Sequence, residues 1–452
     1  MKLERLEELL RTRPSDERTY DRHLPDLALR SAPVREPVRA GGSRPLGFAA
    51  AVMGIGLVIV VGAAALGRWS QGQTAANPSG AAPSARVGAT RASFTGSMKE
   101  ARRDASATLL KDGRVLIVGG IQSGDPGEGG GGVLMKSAEL YDPATGTFTL
   151  TGSMTVARYS ASLTTLADGR VLVVGGNGVH TNASAELYDP ATGQFTPTTS
   201  TASPQESGTE ISSTLLRDGR VLIIGTDASD NGDQWSADLY DPSTGQFTAV
   251  GQMPGRLFTW TATLLNDGRV LIAGGNDPTT PAPSLIFDPA TGTFVATGTM
   301  SGQLSSHTAT LLPNGRVLLI EGYPFPGGVT SGELYDPAIG KFTPTGDVGI
   351  TRVPLPTATL LANGKVLLAG GAAVGASSLD ASTVLLYDPA TGKFNPGGST
   401  LVPRREHTAT LLSDGRVLLA GGIDGGVSIG SDGNTTGDWP TDSAEMYDPT
   451  AP

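Results

Sequence analysis

The feature that most constrains this chain is a short segment that occurs seven times with small changes. Its first copy, ATLLKDGRVLIVGG, spans residues 107–120, and its last, ATLLSDGRVLLAGG, spans residues 409–422. The turn residue of the segment recurs at intervals of 47–56 residues. These turn residues are Asp112, Asp168, Asp218, Asp267, Asn314, Asn363 and Asp414. Periods of about this length are typical of stacked or circular repeats, in which each unit needs its neighbours to bury a core.

A second marker, Tyr-Asp-Pro or Phe-Asp-Pro, follows each copy and divides the unit into four predicted strands. The Asp-Gly or Asn-Gly pair favours a two-residue hairpin, because both central positions of that turn need positive φ. The β-branched run RVLIVGG predicts a buried second strand, AELYDP a third and TFTLTGSM a fourth. The aromatic residues of the marker are Tyr141, Tyr188, Tyr240, Phe287, Tyr335, Tyr387 and Tyr447.

A four-stranded sheet of this size cannot bury both of its faces alone, so neighbouring sheets must cover it. Seven such sheets in a ring make an all-β, seven-bladed β-propeller. The last unit ends at AEMYDPTAP (444–452) without a fourth strand, whereas ASFTGSMKEARRDAS (92–106) resembles a fourth strand and its exit. We therefore expect the N-terminal strand to complete the last blade and close the ring, which removes two open sheet edges.

The repeated unit, with its DG turn, paired glycines and AELYDPxTGxF segment, resembles the kelch repeat over residues 91–452. It is most similar to the bacterial kelch-type sheets related to the galactose oxidase central domain. The aromatic residue after the last turn is Phe, for example Phe148, where kelch units often have Trp. The resemblance implies a ligand or partner site on the face formed by the loops between strands two and three and between blades. It implies little about activity, since the family includes both oxidases and binding modules.

Residues 46–67, LGFAAAVMGIGLVIVVGAAALG, contain no charge and are long enough to cross a bilayer as one helix. Arginines are more frequent before this segment than after it, which favours a cytoplasmic N-terminus. We expect a cytoplasmic tail at 1–45, a transmembrane helix at 46–67, a flexible linker rich in Ala, Pro, Ser and Gly at 68–90, and the propeller at 91–452 outside a bacterial cell membrane. A cleaved secretory signal would have a shorter apolar run and a shorter arm.

The overall charge limits the partners of the chain. There are 33 Lys and Arg residues against 43 Asp and Glu residues, a formal net charge of −10, and most of the acidic excess lies in the repeats. An acidic domain repels phosphate backbones, so we do not expect nucleic acid as a partner. The chain has no Cys, which excludes disulfides and thiol chemistry. The oligomeric state is left open by the sequence.

Alignment on the DG turn brings candidate binding residues to one mouth of the ring. Seven residues before the turn are Trp260, His307 and His407, and ten residues before it are Arg158 and Arg404. Glu210 lies eight residues before the turn of the third unit. An aromatic ring among fixed polar groups suits a protein segment or a glycan. The alternative interpretation is that these residues form an ordinary polar network at the rim.

Enzymatic and metal-dependent functions find little support in these motifs. His307 and His407 fall in units that are not neighbours, and a metal site needs a third or fourth ligand. The resemblance to galactose oxidase implies a copper site with a Tyr crosslinked to Cys, which a chain without Cys cannot form. Two acidic loops, 227–238 and 421–443, leave calcium open, although such loops are usually only solvated. No other cofactor is expected.

The sequence therefore predicts a membrane-anchored, extracytoplasmic interaction module. The alternatives left open are a galactose-oxidase-like or other carbohydrate-active propeller enzyme and a purely structural envelope protein.

Overall fold

The computed structural model describes the repeat region in segments and consists of strands, with no helix in the described part of the chain. The described residues are 91–123, 132–176, 184–201, 211–226, 235–253, 260–274, 284–301, 307–320, 331–348, 356–371, 382–424, 428–429, 435–436 and 439–451. The tail, membrane helix and linker predicted for 1–90 lie outside these residues. Within the described ranges, no helix is long and apolar enough to cross a membrane.

Seven four-stranded antiparallel sheets, called blades 1 to 7, follow one another along the chain. Blade 1 contains β2 (Ser106–Leu109), β3 (Val115–Val118), β6 (Ala138–Asp142) and β7 (Thr147–Leu150). Blade 2 contains β8 (Ser162–Thr165), β9 (Val171–Val174), β10 (Ala185–Asp189) and β11 (Gln194–Pro197). Blade 3 contains β12 (Ser212–Leu215), β13 (Val221–Thr226), β14 (Trp235–Asp241) and β15 (Gln246–Met253). Blade 4 contains β16 (Trp260–Leu264), β17 (Val270–Gly274), β18 (Leu285–Asp288) and β19 (Thr293–Ala296).

The remaining blades repeat this order, and the last one takes its fourth strand from the other end of the repeat region. Blade 5 contains β20 (Thr308–Leu311), β21 (Val317–Ile320), β22 (Ser331–Asp336) and β23 (Lys341–Asp347). Blade 6 contains β24 (Thr357–Leu360), β25 (Val366–Ala369), β26 (Thr383–Asp388) and β27 (Lys393–Ser399). Blade 7 contains β29 (Thr408–Leu411), β30 (Val417–Ala420), β34 (Ala444–Tyr447) and β1 (Ala92–Phe94), and β1 pairs with β34 from Ala92–Tyr447 to Phe94–Glu445.

The blades form a ring around the seven inner strands. Each inner strand contacts the inner strands of the blades before and after it, and β29 of blade 7 contacts β2 of blade 1. Seven hydrophobic clusters fill the spaces between successive blades, including the space between blades 7 and 1. The predicted seven-bladed all-β propeller is therefore confirmed for the described part of the chain.

The VLIV-type second strand explains how both faces of a blade are covered. In β3, Val115 and Ile117 belong to the cluster shared with blade 7, while Leu116 and Val118 belong to the cluster shared with blade 2. Alternate side chains of a strand point to opposite faces, so an uninterrupted apolar run fills two clusters at once. Burying four such side chains in every blade supplies the main driving force for assembly of the ring.

In blades 1, 2, 5 and 7, the tyrosine of the marker links the blade to the blade before it. In blade 2, the Tyr188 ring packs on Phe195 with centroids 4.8 Å apart, and its hydroxyl lies 2.9 Å from Thr151 Oγ1 of blade 1. The next residue, Gly152, donates its N–H to the carbonyl of Gly193 at 2.9 Å. A β-carbon on Gly152 would collide with that carbonyl. The Thr-Gly pair after the fourth strand thus belongs to the joint between two blades.

The paired glycines after the second strand are also required by close contact between two blades. In blade 6, Gly370 has φ of +68°, and a β-carbon there would stand 2.5 Å from both the Arg404 carbonyl oxygen and the His407 ring. Gly371 donates its N–H to the Arg404 carbonyl at 2.9 Å. Left-handed backbone and close approach of the next blade both require glycine here.

The DG and DP turns share one face of the ring, which we call the turn face. Arg114, which follows a DG turn, pairs with Asp112 and also donates to the carbonyl of Pro190 in a DP turn of blade 2. The opposite face, called the loop face, holds the connections between strands two and three and those between blades. Arg91, where the described chain begins, lies on the turn face, because its carbonyl accepts the N–H of Asp448 in the last DP turn.

Candidate functional site

Short ribbons stand on the loop face of blades 7 and 1. In blade 1, β4 (Ile121–Gln122) pairs with β5 (Val133–Leu134). In blade 7, β28 (Arg404–Arg405) pairs with β31 (Ile423–Asp424), and β32 (Ser428–Ile429) pairs with β33 (Thr435–Thr436). Together with the chain leading into blade 2, these ribbons make the described part of the mouth.

Buried arginine–glutamate pairs form the base of this sector. The side chain of Arg158 is fully buried and lies 2.9 Å from the Glu186 carboxylate of the third strand of its own blade. Its Nη1 donates to the carbonyls of Gly175 and Ser184 at 2.7 and 3.3 Å. Burial lowers the pKa of Arg158 below its ordinary value, and the charge of Glu186 opposes that shift. The N–H groups of Thr155 and Val156 also donate to Glu186.

Blades 1 and 7 carry the same pair in the same place. Arg102 lies 3.0 Å from Glu139, and Arg404 lies 2.5 Å from Glu445, with all four side chains fully buried. The expected exposure of Arg158 and Arg404 at the mouth is therefore wrong. Each guanidinium group is enclosed because it pairs with a glutamate on the third strand of its blade. The pair joins that third strand to the segment that leads into the inner strand. The arginines hold in place the segments that lead to the rim.

The three candidate residues seven positions before the turn are also buried. Trp260, His307 and His407 are each 7% exposed, so the structure does not display them at the surface. Trp260 packs edge-on against Trp235, with centroids 4.2 Å apart, and donates Nε1–H to Ser212 of blade 3. The structure brings each of them against the preceding blade, and it does not bring the three together.

The two histidines make the same kind of hydrogen bond, between Nε2 and a threonine of the preceding blade. His307 of blade 5 donates Nε2–H to the carbonyl of Ala273 at 3.0 Å, and the same nitrogen lies 3.0 Å from Thr261 Oγ1, both in blade 4. His407 of blade 7 places Nε2 3.1 Å from Thr357 Oγ1 in blade 6. The mouth ends of the inner strands of blades 5 and 7 are thus fastened to the inner strands of blades 4 and 6.

His407 is held in its neutral form. Burial, and secondarily the charge of Arg404, lowers the pKa of His407 to about 3. The ring lies against Gly370 of blade 6, and its burial there disfavours the charged imidazolium. This histidine does not change charge near neutral pH.

The backbone at the mouth has an irregularity that the sequence motifs do not predict. Only three non-glycine residues of the described chain have positive φ: Asp104, Ser160 and Glu406, at 52°, 51° and 55°. All three lie eight positions before the turn, in blades 1, 2 and 7, which are consecutive around the ring. Every other described residue with left-handed φ is a glycine. Left-handed backbone costs a non-glycine residue roughly 1–2 kcal/mol.

These three residues form a connected ridge, which we call the rim. Ser160 donates its N–H to the Asp104 carbonyl at 2.8 Å, and Asp104 donates its N–H to the Glu406 carbonyl at 3.0 Å. Arg103 bridges the blades, with Nη1 2.8 Å from Glu406 and 3.3 Å from Asp104. The Arg103 side chain is 29% exposed and both carboxylates are 20% exposed, so these polar groups reach solvent at the mouth.

The wall around the axis below the rim is uncharged and rich in hydroxyl groups. No inner strand contains a charged residue, and the positions four and six before the turn are Ser or Thr in all seven blades. Some of these hydroxyls join neighbouring blades, as in Thr108–Thr165 at 3.1 Å. The hydroxyl residues are Ser106, Thr108, Ser162, Thr164, Ser212, Thr214, Thr261, Thr263, Thr308, Thr310, Thr357, Thr359, Thr408 and Thr410.

The sequence contains a signal for the rim. Asp104, Ser160 and Glu406 share one alignment column with Glu210, whose position lies outside the described residues. Six of the seven residues in that column are polar and the seventh is Leu355, but only the dihedral angles show the left-handed backbone of Asp104, Ser160 and Glu406.

A metal centre does not fit the described residues. They contain no group of three His, Cys, Asp or Glu side chains that could hold a metal ion. The Nε2 atoms of His307 and His407 are directed to separate blades. Of the two acidic loops, residues 227–234 lie outside the described ranges, and Asp238 lies buried on β14.

Comparisons with known proteins support the architecture. No protein-family model matches the chain, and a search of curated proteins finds no match. Among solved structures, a fungal alcohol oxidase of the AA5 family in complex with copper is similar, with a TM-score of 0.57 and 18% sequence identity. The match covers 79% of this chain and 75% of the oxidase chain. At this identity the likeness shows the fold alone, and it confirms the expected resemblance to the propeller of galactose-oxidase-like proteins at that level.

Proposed function

We propose that this propeller is an interaction module that binds a protein segment or a glycan at the rim of blades 7, 1 and 2. One observation carries the proposal. The chain uses glycine at every other described left-handed position, yet it retains Asp, Ser and Glu at the rim. If backbone geometry alone selected these residues, glycine would serve better. Strained non-glycine residues cluster where their side chains have a function.

The charge of the rim favours a neutral, polar ligand. Asp104 and Glu406 already share Arg103, so a cation would have to displace that guanidinium, and an anion would meet two carboxylates. Donors and acceptors are both present, together with the hydroxyl-rich wall below. Hydroxyl and amide groups satisfy such a mixed set.

The test compares rim variants on defined probes. The wild-type chain and the variants Ser160→Gly and Glu406→Gly would be applied to a glycan array and to a display library of random linear peptides. Thr145→Ala, an exposed change on the turn face, is the matched control. We expect the rim variants to lose about tenfold or more in affinity for the probes that wild type binds, with equal or higher thermal stability. Unchanged affinity in both rim variants would remove the basis of the proposal.

The proposal includes a membrane anchor at 46–67, with the N-terminus in the cytoplasm and the propeller outside a bacterial cell. Its support is the uncharged stretch of 22 residues and the arginines before it. Cell fractionation tests the anchor: the full chain should stay with membranes after alkaline washing, and a chain beginning at Arg68 should not. Equal release of both chains would contradict anchoring.

A copper-dependent or carbohydrate-active enzyme is the alternative suggested by the oxidase fold. The residues that the structure describes do not supply a copper ligand set. Copper analysis of the purified chain, together with an assay for peroxide release from sugars and alcohols, distinguishes the alternative directly.

A further inference from the structure

Blades 1, 2 and 7 hold an arginine in the same set of hydrogen-bond acceptors. In blade 2, Arg158 Nη1 donates to the carbonyls of Gly175 and Ser184 at 2.7 and 3.3 Å. Its Nη2 donates to Ser184 Oγ at 3.2 Å and to the Glu186 carboxylate at 2.9 Å. The arginines of blades 1 and 7 make the corresponding contacts. Each set of acceptors comes from the glycine after the second strand and from a Ser-Ala-Glu segment of the third.

Blade 3 keeps this set of acceptors without an arginine at the aligned position. Ser236, Ala237 and Asp238 take the place of the Ser-Ala-Glu segment, and Gly225 pairs with Ser236 across β13 and β14. The position ten residues before the turn is Gly208 in the sequence, and residues 202–210 lie outside the described part of the chain. A glycine has no side chain, so this position provides no guanidinium.

The hydroxyl group of Ser236 is buried and unpaired. The residue is 3% exposed, and its Oγ has no hydrogen-bond partner within the part of the chain that the structure describes. Ser184 occupies the same position in blade 2, and its Oγ accepts a hydrogen bond from Arg158. Buried side-chain hydroxyls nearly always have a partner, so the unpaired one marks a place where a partner is missing.

The Asp238 carboxylate lies on the same side of β14 as this hydroxyl. Residues two apart on a strand point to one face of the sheet, so Ser236, Asp238 and Tyr240 share a face. Tyr240 belongs to the hydrophobic cluster between blades 2 and 3, and Asp238 is fully buried. The joint between these blades therefore contains a carboxylate and an unpaired hydroxyl at the positions that hold a guanidinium in blade 2.

We propose that these groups bind the guanidinium of an arginine side chain from a partner protein. The acceptors are Ser236 Oγ, the Asp238 carboxylate and the carbonyls of Gly225 and Ser236. A planar, forked guanidinium has enough donors for all of them, whereas an ammonium group is a compact point charge. The net charge of −10 also attracts a cationic partner. The site belongs to blade 3, so this inference goes beyond the neutral ligand proposed for the rim.

Binding of N-acetyl-arginine amide to the full chain tests the site, and N-acetyl-citrulline amide, which has a similar shape without the charge, is the matched probe. We expect wild type to bind the arginine probe at least about tenfold more tightly, because hydrogen bonds to charged groups are the stronger ones. Ser236→Ala should weaken binding of the arginine probe about tenfold. Ser184→Ala changes the matched serine of blade 2, whose acceptors already hold Arg158, and should leave that binding unchanged. Equal binding of the two probes, no binding of either, or equal affinities of wild type and Ser236→Ala would overturn the inference.

Gly208→Arg gives a second readout. The new side chain should occupy the site from within the chain, as in blades 1, 2 and 7, so binding of the arginine probe should be lost and the melting temperature should rise. Retained binding would contradict the inference, and if this variant does not fold, the comparison with Ser236→Ala decides. Ser160→Gly, at the rim, should bind the arginine probe as wild type does, so the two proposals fail in different experiments.

The protein origin of the arginine is tested with a display library of random linear peptides. Peptides that bind wild type are kept only if they bind Ser236→Ala about tenfold more weakly. Replacement of one arginine by citrulline should remove the binding of these peptides. A library that yields no such peptide, or peptides that tolerate the replacement of every arginine, would overturn the assignment of a protein partner.

Discussion

At the scale of single residues, the internal repeat shows how the chain handles buried charge. Blades 1, 2 and 7 bury an arginine against a glutamate, as in Arg158–Glu186. In blades 4 and 6 the glutamate position holds Leu285 and Leu385, and the aligned arginine position is also apolar. The two partners change together in blades 4 and 6, whereas blades 3 and 5 keep a buried acid, Asp238 and Glu333, with Gly208 and Leu304 at the arginine position. Where the pair is present, a buried charge that loses its counter-charge is costly.

Removing one partner should therefore destabilise far more than removing both. Arg158→Leu leaves Glu186 buried without its counter-charge and should lower the free energy of unfolding by about 3–5 kcal/mol. The double variant Arg158→Leu/Glu186→Leu should lie much closer to wild type, since blades 4 and 6 already carry the apolar combination. Chemical denaturation of the two single variants and the double variant measures the coupling. Additive losses would show that the pair is not coupled.

His407 gives the fold a defined sensitivity to acid. Its pKa is about 3 in the folded chain, against an ordinary value of 6.5. The folded pKa is the lower one, so this stabilisation is fully present above pH 6.5 and is lost as the pH falls towards 3. At pH 5 the loss should be roughly 2 kcal/mol.

The pH dependence can be assigned to this residue by substitution. His407→Gln keeps a polar side chain of similar reach and does not titrate in this range. Thermal unfolding between pH 7 and 4 should show a shallower fall for His407→Gln than for wild type. Parallel curves would mean that another group causes the acid sensitivity.

At the scale of elements, the glycines differ in what they require. Gly370 combines positive φ with the approach of blade 7, whereas Gly415, in a DG turn, has positive φ and no atom within 4 Å of the place that a β-carbon would occupy. A side chain at position 370 is therefore disfavoured by both steric contact and backbone conformation, and one at position 415 by backbone conformation alone. The joint between blades, and not the turn, is the less tolerant site.

Alanine substitutions separate the two requirements. Gly415→Ala should cost about 1–2 kcal/mol, the penalty of left-handed backbone for a residue with a β-carbon. Gly370→Ala carries that penalty and also forces blades 6 and 7 apart, so its loss should be clearly larger. Thermal and chemical unfolding of both variants provide the comparison. Equal losses would show that the neighbouring blade gives way easily.

At the scale of the whole molecule, the ring depends on strands from distant parts of the chain. Blade 7 takes three strands from residues 408–447 and one from residues 92–94. The pairing spans most of the repeat region and leaves β34 without an open edge on the β1 side. The β1–β34 pairing therefore stabilises the closed ring as a whole and not blade 7 alone.

Truncation tests this contribution. A chain beginning at Arg91 keeps β1, and a chain beginning at Gly96 lacks it. The shorter chain should unfold at a lower temperature and self-associate, since the backbone groups of Ala444–Tyr447 become an open edge. Calorimetry and light scattering of the two proteins measure both effects. Equal melting temperatures and equal monomer fractions would mean that β1 adds nothing to the ring.

The sequence by itself determined the number of blades, the four strands of each and the two kinds of turn. These are local properties: period-two patterning, the φ demanded by DG and the repeat interval can all be read along the chain. The sequence also located the mouth column. It did not reveal that Arg158, Arg404, Trp260, His307 and His407 are enclosed there.

Tertiary structure decided the role of each of these five residues at the mouth. Whether a side chain faces solvent or the next blade depends on contacts between units about 50 residues apart along the chain, and an alignment of repeats does not contain those contacts. The same holds for Asp104, Ser160 and Glu406. Their left-handed backbone follows from the hydrogen bonds that join three blades, so the strain that distinguishes them exists only in the assembled ring.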